Sequence, residues 1–275
     1  MMKKLLGLTS VIVTFVVTYI VAQFGVAKLC HVTGCGYTAE GVISDWGFAA
    51  IYSISSLVIY LVVTILERRM FHMKQPIMHS IKGFNPTAIL MGVIVIIALS
   101  ISLSPLDACL PQDSREFPSG GWTLITIVFV APIFEEVIFR GRLFNMFNNL
   151  GSVPMSALLS SLLFAAIHGE PIVMINGFLV GLLLSYFYLR QHSIFAPIIL
   201  HVCNNMLAYA LGVLSYRGES FMNIIESRGW SIAIYLISVA IVVLALVVIF
   251  RTLILEQRQY RRILDVSAVR SRFTK

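Results

Sequence analysis

The chain breaks into long apolar runs separated by short polar connections. Eight such runs can be cut: Leu5–Ala27, Trp46–Leu66, Thr87–Leu103, Trp122–Asn145, Val153–His168, Ile172–Leu189, Ile194–Leu214 and Trp230–Phe250. A bilayer core takes roughly 20 apolar residues in helix, the length of most of these runs. Val153–His168 is short and reads as only partly transmembrane. No ten-residue alternation of apolar and polar positions, the mark of a membrane β-barrel, occurs anywhere. The pattern predicts an all-α polytopic transmembrane bundle of about eight helices. No repeat, low-complexity segment or long linker divides it, so residues 1–275 read as a single integral membrane domain. Lys3 and Lys4 before a run ending in Gly25-Val26-Ala27 faintly resemble a signal peptide. At about 22 residues that run exceeds a usual cleavable core, which favours a retained first helix.

Composition agrees with the pattern. The chain is 58% hydrophobic and 12% charged, with a mean hydropathy of +0.90, whereas a soluble domain is roughly a quarter charged. A soluble domain, a disordered chain and a disulfide-stapled secreted scaffold are all excluded. The charges sit mostly in connections and encode orientation, because Lys and Arg gather on the cytoplasmic side. Lys3 and Lys4 precede span one; Arg68, Arg69, Lys74 and Lys82 follow span two; Arg140 and Arg142 lie toward the exit of span four; Arg190 follows span six. The segment 251–275 is a basic tail with Arg251, Arg258, Arg261, Arg262, Arg270, Arg272 and Lys275. The opposite connections carry Glu40, Asp45, Asp107, Asp113 and Glu116. Both termini are therefore expected to be cytoplasmic. The net charge of +7 is mainly a topology signal, with the tail suited to anionic lipid headgroups. A nucleic-acid partner is not expected, since the basic residues follow span ends rather than cluster on one face. Cys30, Cys35 and Cys109 fall on predicted exterior loops, where one disulfide or free thiols are both compatible with the sequence. Cys203 lies within a span.

Ionisable side chains inside a membrane helix are costly and mark functional sites by default. They concentrate in Phe134-Glu135-Glu136-Val137-Ile138-Phe139-Arg140-Gly141, in Phe164-Ala165-Ala166-Ile167-His168, and in His201-Val202-Cys203-Asn204-Asn205. Residues four apart share a helix face, so Glu136 is predicted to pair with Arg140. Glu135 points about 100° away and lacks that partner, which leaves it as the general-base candidate. His201 and Asn205 also share one face and can project into one cavity; Asn204 points elsewhere. At about 1.5 Å per residue, Glu135 lies roughly 15 Å deep, His168 roughly 20 Å, His201 roughly 10 Å and Asn205 roughly 16 Å. These depths allow the three motifs to meet if spans four, five and seven touch. Taken singly, each has a structural explanation: a buried ion pair, a helix-end histidine, a hydrogen-bonded tie between helices. Phe134, Phe139, Phe144 and Phe147 read as packing or lipid-facing residues, Ser160 and Ser161 as small packing residues, and Gly177 with Gly181 as a helix contact.

Glu-Glu-x-x-x-Arg, Phe-x-x-x-His and His-x-x-x-Asn on successive apolar segments resemble the CPBP family of intramembrane proteases. This is the CAAX protease and bacteriocin-processing (Abi) family, related to the type II CAAX prenyl endopeptidase. The flanking Phe139-Arg140-Gly141-Arg142-Leu143-Phe144 and Leu163-Phe164 match too, and the resemblance covers roughly 122–207. It implies that Glu135 with His168 activates a water, that His201 and Asn205 stabilise the oxyanion, and that Arg140 holds Glu136. The family is often labelled a metalloprotease, and two His with a Glu could in principle ligate zinc. His-Glu-x-x-His is absent, however, so a site without a metal or other cofactor is the favoured expectation. The implied substrate is a peptide or membrane-protein precursor, with a prenylated peptide as one form, and the implied location is a bacterial cell membrane. A non-catalytic scaffold or bacteriocin-immunity factor is the alternative. A proton-coupled transporter is less favoured, because no inverted repeat is visible.

Overall fold

The computed structural model describes residues 2–71, 77–78, 84–110, 120–213 and 227–273, with side chains as far as 211 and 259 in the last two stretches. Among the described residues the chain forms eight helices and no strand. They are α1 Met2–Thr33, α2 Asp45–Phe71, α3 Pro86–Asp107, α4 Gly121–Leu150, α5 Val153–Ala166, α6 Pro171–Gln191, α7 Phe195–Val213 and α8 Arg228–Phe273. Each overlaps one of the predicted apolar runs. Six (α1, α2, α3, α4, α6 and α8) are long and apolar enough to cross a membrane, whereas α5 and the apolar part of α7 are shorter. The chain is thus an integral multi-pass membrane protein. The expected shortness of the fifth run is seen. The basic tail, for its part, continues the helix of α8.

Side chains fix several helix starts. Ser44 caps α2 through its Oγ, which accepts from Gly47 N. Asn85 caps α3 by accepting from Ala88 N, with Pro86 in the first turn, and Ser152 caps α5 in the same manner. These are the residue types whose short oxygens best satisfy the free N–H groups of a first turn. Between α5 and α6 the chain reverses at Gly169, whose φ of +78° lies in the left-handed region that glycine enters freely. Pro171 then opens α6.

Two apolar cores form. One joins α1, α2, α4 and α5 around Val11, Phe15, Val63, Phe139, Met146 and Phe164. The other joins α3, α6, α7 and α8 around Ile96, Leu183, Tyr188, Leu200 and Leu253. Phe139, Phe144 and Phe147 are buried in these cores, as packing residues should be. Large apolar residues of α1, α2, α3 and α8 face outward, among them Val17, Leu61, Leu90 and Leu244.

Lipid tails are as apolar as leucine, so burial alone does not hold helices together in a bilayer. Close packing at small residues and interhelical hydrogen bonds do. Ser55 Oγ donates to Ala22 O between α2 and α1 at 3.2 Å, and Ser160 Oγ donates to Phe139 O between α5 and α4 at 2.9 Å. The α5–α6 contact uses Gly177 and Gly181; a Cβ on Gly181 would lie 2.9 Å from Ser161 Cβ and 3.1 Å from its Cα. Because the neighbour includes backbone, Gly181→Ala is expected to cost about 1–3 kcal/mol. Thermal unfolding in detergent should show a lower midpoint, and an unchanged midpoint would mean the two helices part there freely.

The basic ends of several helices share one end of the bundle. Asn85 N donates to Gln191 Oε1 at 3.0 Å, Ile194 N donates to Met78 O at 2.7 Å, and Arg190 lies 3.8 Å from Glu256. Arg68 and Arg69 are exposed at the end of α2. Lys74, Lys82, Asp113, Glu116 and Lys275 lie outside the described residues, as do the side chains of Arg261, Arg262, Arg270 and Arg272. Arg142 departs from the charge reading. It is buried and pairs with the buried Glu67 of α2 at 3.0 Å, so it is a structural cation inside the bundle and carries no topology signal. The four cysteines are free thiols: Cys35 and Cys109 are exposed, Cys30 and Cys203 partly buried.

Candidate active site

Helix α4 carries the acidic motif and is not a uniform α-helix. Two wide π turns, Thr126–Val130 and Phe139–Leu143, bracket an α segment, Ala131–Ile138, that holds both glutamates. The first has a covalent cause. Pro132 has no N–H and its ring would strike the carbonyl four residues back, so the preceding turn widens. Ala131 N then donates to Thr126 O, five residues back. Ile127 O is left with neither Ala131 nor the N–H-less Pro132 as donor. Asn205 of α7 supplies the missing hydrogen, its Nδ2 donating to Ile127 O at 2.9 Å. In the second π turn Gly141 permits close approach, with Ile77 against it, while Ser160 bonds the Phe139 carbonyl. Single π turns inside α-helices recur at functional sites.

The predicted Glu136–Arg140 pair forms. Arg140 Nη1 donates to Glu136 Oε1 at 2.8 Å, with both side chains fully buried. Arg140 Nη2 donates to Gly181 O on α6 at 2.9 Å. The guanidinium also lies over the Phe164 ring of α5, 4.7 Å from its centroid. The same Glu136 oxygen receives His201 Nδ1 from α7 at 2.9 Å. A chain Arg140–Glu136–His201 therefore ties α4, α6 and α7, and Glu136 is the joint between the motifs.

Glu135 points away from that joint, as the helix period requires, but it is not without a partner. Tyr52 of α2 donates its O–H to Glu135 Oε1 at 2.6 Å. The other oxygen, Oε2, lies 3.6 Å from His201 Nε2. His201 itself is buried. With Nδ1–H given to Glu136, a neutral His201 turns a bare Nε2 toward Glu135, and only the imidazolium can donate from that side.

His168 closes α5 just before Gly169. Its Nδ1 donates to Phe164 O at 2.8 Å, which leaves Nε2 as the acceptor nitrogen of the neutral ring. Its ring stands edge-on to Phe164 at 4.9 Å, and His201 stands edge-on to the same ring at 5.3 Å. Phe164 thus touches Arg140, His168 and His201, one group from each motif. No hydrogen bond or ion pair joins His168 to Glu135 among the described residues. His201 and Asn205 lie on one face of α7 as expected but bond different partners, Glu136 and Ile127. Asn205 Oδ1 accepts from Asn204 at 3.2 Å, and one Asn205 N–H remains uncommitted.

Among the described residues no three His, Cys, Asp or Glu side chains form a group able to hold a metal ion. His201 Nδ1 is engaged by the Glu136 carboxylate and His168 Nδ1 by the Phe164 carbonyl, which leaves Nε2 as the remaining nitrogen of each ring.

Sequence reasoning missed Tyr52, Tyr19 and Glu67. Tyr19 of α1 donates to Ile167 O, next to His168, at 3.1 Å. A tyrosine in an apolar run carries no spacing signal, and only the packing of α1 and α2 against α4 and α5 brings these phenols to the site. Glu67 sat one residue past the expected end of span two, where a charge reads as interfacial.

Residues 117–207 match the family model of the type II CAAX prenyl endopeptidase Rce1-like family. An uncharacterized 24.3 kDa protein of Escherichia coli is 27% identical over a region covering 59% of this chain and 79% of that protein. No solved structure matches the chain. The matched segment contains Glu135, Glu136, Arg140, His168, His201 and Asn205 and leaves out α1, α2 and α3. The acidic, first-histidine and histidine–asparagine motifs all lie inside that segment, so residues 117–207 are similar to the Rce1-like family of type II CAAX prenyl endopeptidases, a family of CAAX-type intramembrane proteases.

Proposed function

We propose that this protein is a glutamate-dependent intramembrane endopeptidase whose reaction centre is Glu135, His168, His201 and Asn205, with Glu136 and Arg140 as supports. The observation that carries the reading is the meeting of three motif segments around Phe164, with Glu135 Oε2 turned toward His201 Nε2 at 3.6 Å. Glu135, aided by the acceptor nitrogen of His168, removes a proton from water, and the oxygen attacks the scissile carbonyl carbon. The carbonyl π electrons move to oxygen. His201, as an imidazolium flanked by two carboxylates, and the spare N–H of Asn205 stabilise that oxyanion, a contribution of a few kcal/mol per donor in such sites. Collapse breaks the C–N bond, and the departing amine takes the proton held by Glu135. The reading is metal-independent, because each of these steps uses only the named side chains and water.

The substrate is a peptide segment presented within or at the edge of the bilayer, of which a prenylated C-terminal peptide and a membrane-protein precursor are two forms. The basic helix ends face the cytoplasm, placing both termini there, and the bilayer is a bacterial cell membrane. The test uses purified protein in liposomes with quenched-fluorescence membrane peptides, prenylated and not, with and without chelator. Wild type cuts at least one peptide, Glu135→Ala cuts none, and chelator changes nothing. Cleavage by the Glu135→Ala variant would sink the mechanism, and loss with chelator would overturn its metal-free form. Biological activity that survives both Glu135→Ala and His168→Ala would point instead to a scaffold or immunity role.

A further inference from the structure

The matched family segment starts after α3, yet the carboxylate at its centre is held from outside it. Tyr52 Oη lies 2.6 Å from Glu135 Oε1. A glutamate carboxylate rotates broadly about its last torsion, so a base without an anchor spends much of its time misaimed. One short hydrogen bond to Oε1 stops that rotation and leaves Oε2 as the proton acceptor. Oε2 is also the oxygen that lies near His201.

That bond is not a stray contact, because α2 is secured along α4 on both sides of it. At the start of both helices, Asp45 accepts from the backbone N–H groups of Trp122 and Thr123, at 3.0 and 2.7 Å. Near the other end, Glu67 accepts from Arg142 Nη1 at 3.0 Å, and Tyr60 stands 3.4 Å from Arg142 Nη2. The order of these ties makes α2 and α4 parallel, with Tyr52 registered between two anchors. Helix α1 acts likewise on the end of α5 and on α4. Tyr19 bonds the Ile167 carbonyl beside His168, and Phe15 stands edge-on to Phe139 at 5.4 Å.

We propose that α1 and α2 complete the reaction centre, with Tyr52 as the positioning residue that aims the Glu135 carboxylate. This rests on the protease reading above. Tyr52→Phe, which removes one oxygen, lowers kcat about 10- to 100-fold, the scale expected when a catalytic group is misplaced by a fraction of its reach. KM stays within about twofold of wild type, since no binding contact is lost. The thermal midpoint is unchanged. A merely structural Tyr52 would instead lower the midpoint or the active fraction and leave kcat per active molecule alone.

The second readout needs no turnover. The infrared carboxylate band assigned to Glu135, identified by its loss in Glu135→Gln, moves in Tyr52→Phe. If Tyr52→Phe does not fold, full-length protein carrying a fluorinated tyrosine at position 52 keeps the ring and must move the same band. An unmoved band overturns the proposal, as does wild-type kcat in a folded Tyr52→Phe protein. Failure of the wild type to cut any peptide removes the protease reading, and the band then decides the Tyr52–Glu135 pairing by itself.

Discussion

Glu135→Gln should lower the rate of peptide cleavage by about 10²–10⁴-fold, the range typical for loss of a general base, with the fold intact. The amide is isosteric, so Tyr52 still donates to the Oε1 atom at the same place. The neighbouring Arg140–Glu136–His201 chain does not involve Glu135 Oε1 and stays closed. What is lost is the ability of Oε2 to accept a proton from water. Single-turnover cleavage in liposomes, with thermal unfolding as the control for folding, separates these effects. A Gln variant that cuts within a few-fold of wild type would move the base to another residue, and His168 is then the side chain to examine.

Arg140→Ala should be the most damaging substitution for stability, costing about 3–5 kcal/mol. Both members of the pair are fully buried, and the arginine serves Glu136, Gly181 O and the face of Phe164 together. Removing it strands the Glu136 carboxylate in a low-dielectric interior beside a single histidine. Glu136 Oε2 already has no hydrogen-bond partner among the described residues, so nothing stands ready to replace the lost cation. The expected readout is a large fall in the thermal midpoint together with loss of activity. Arg140→Lys keeps the charge but not the fork that reaches two acceptors at once, and should fall between. A full-strength fold in Arg140→Ala would show that Glu136 is neutral in place and that the pair contributes little.

The contrast between the two substitutions shows how much of the site is legible in the amino-acid sequence. Helical spacing assigns different work to adjacent glutamates, and the tertiary structure keeps that division: Glu136 is tied to Arg140, and Glu135 is not. The periodicity also puts His201 and Asn205 on one face of α7. It cannot say that their hydrogen bonds diverge. Asn205 is drawn to Ile127 because Pro132 and a π turn leave that carbonyl without a backbone donor, and a π turn shifts the register that spacing arguments assume to be constant. Pro132 is the available signal. A proline inside an apolar run announces a disturbed helix, and a carbonyl just upstream then has to find a side chain.

The charge pattern fails at Arg142, which is buried against Glu67. Within a span's final turns an arginine reads equally as an interfacial charge or as a buried one. The difference is whether Glu67, on another helix, comes within 3.0 Å. Positive charge near a boundary costs little to place in either setting, so local sequence cannot decide.

By itself the amino-acid sequence determined that this chain belongs in a bilayer, how many helices it forms, and which six polar side chains interrupt its apolar runs. Those properties follow from hydrophobicity and from the 3.6-residue period, and both act within a single segment. Only the tertiary structure decided who meets whom: Phe164 as the ring shared by three motifs, His201 on Glu136, Tyr52 on Glu135, Glu67 on Arg142. These pairings join residues far apart in the chain, across helices whose apolar surfaces lipid solvates as well as protein does. Their choice therefore rests on close packing and on buried hydrogen bonds, which no one-dimensional pattern records.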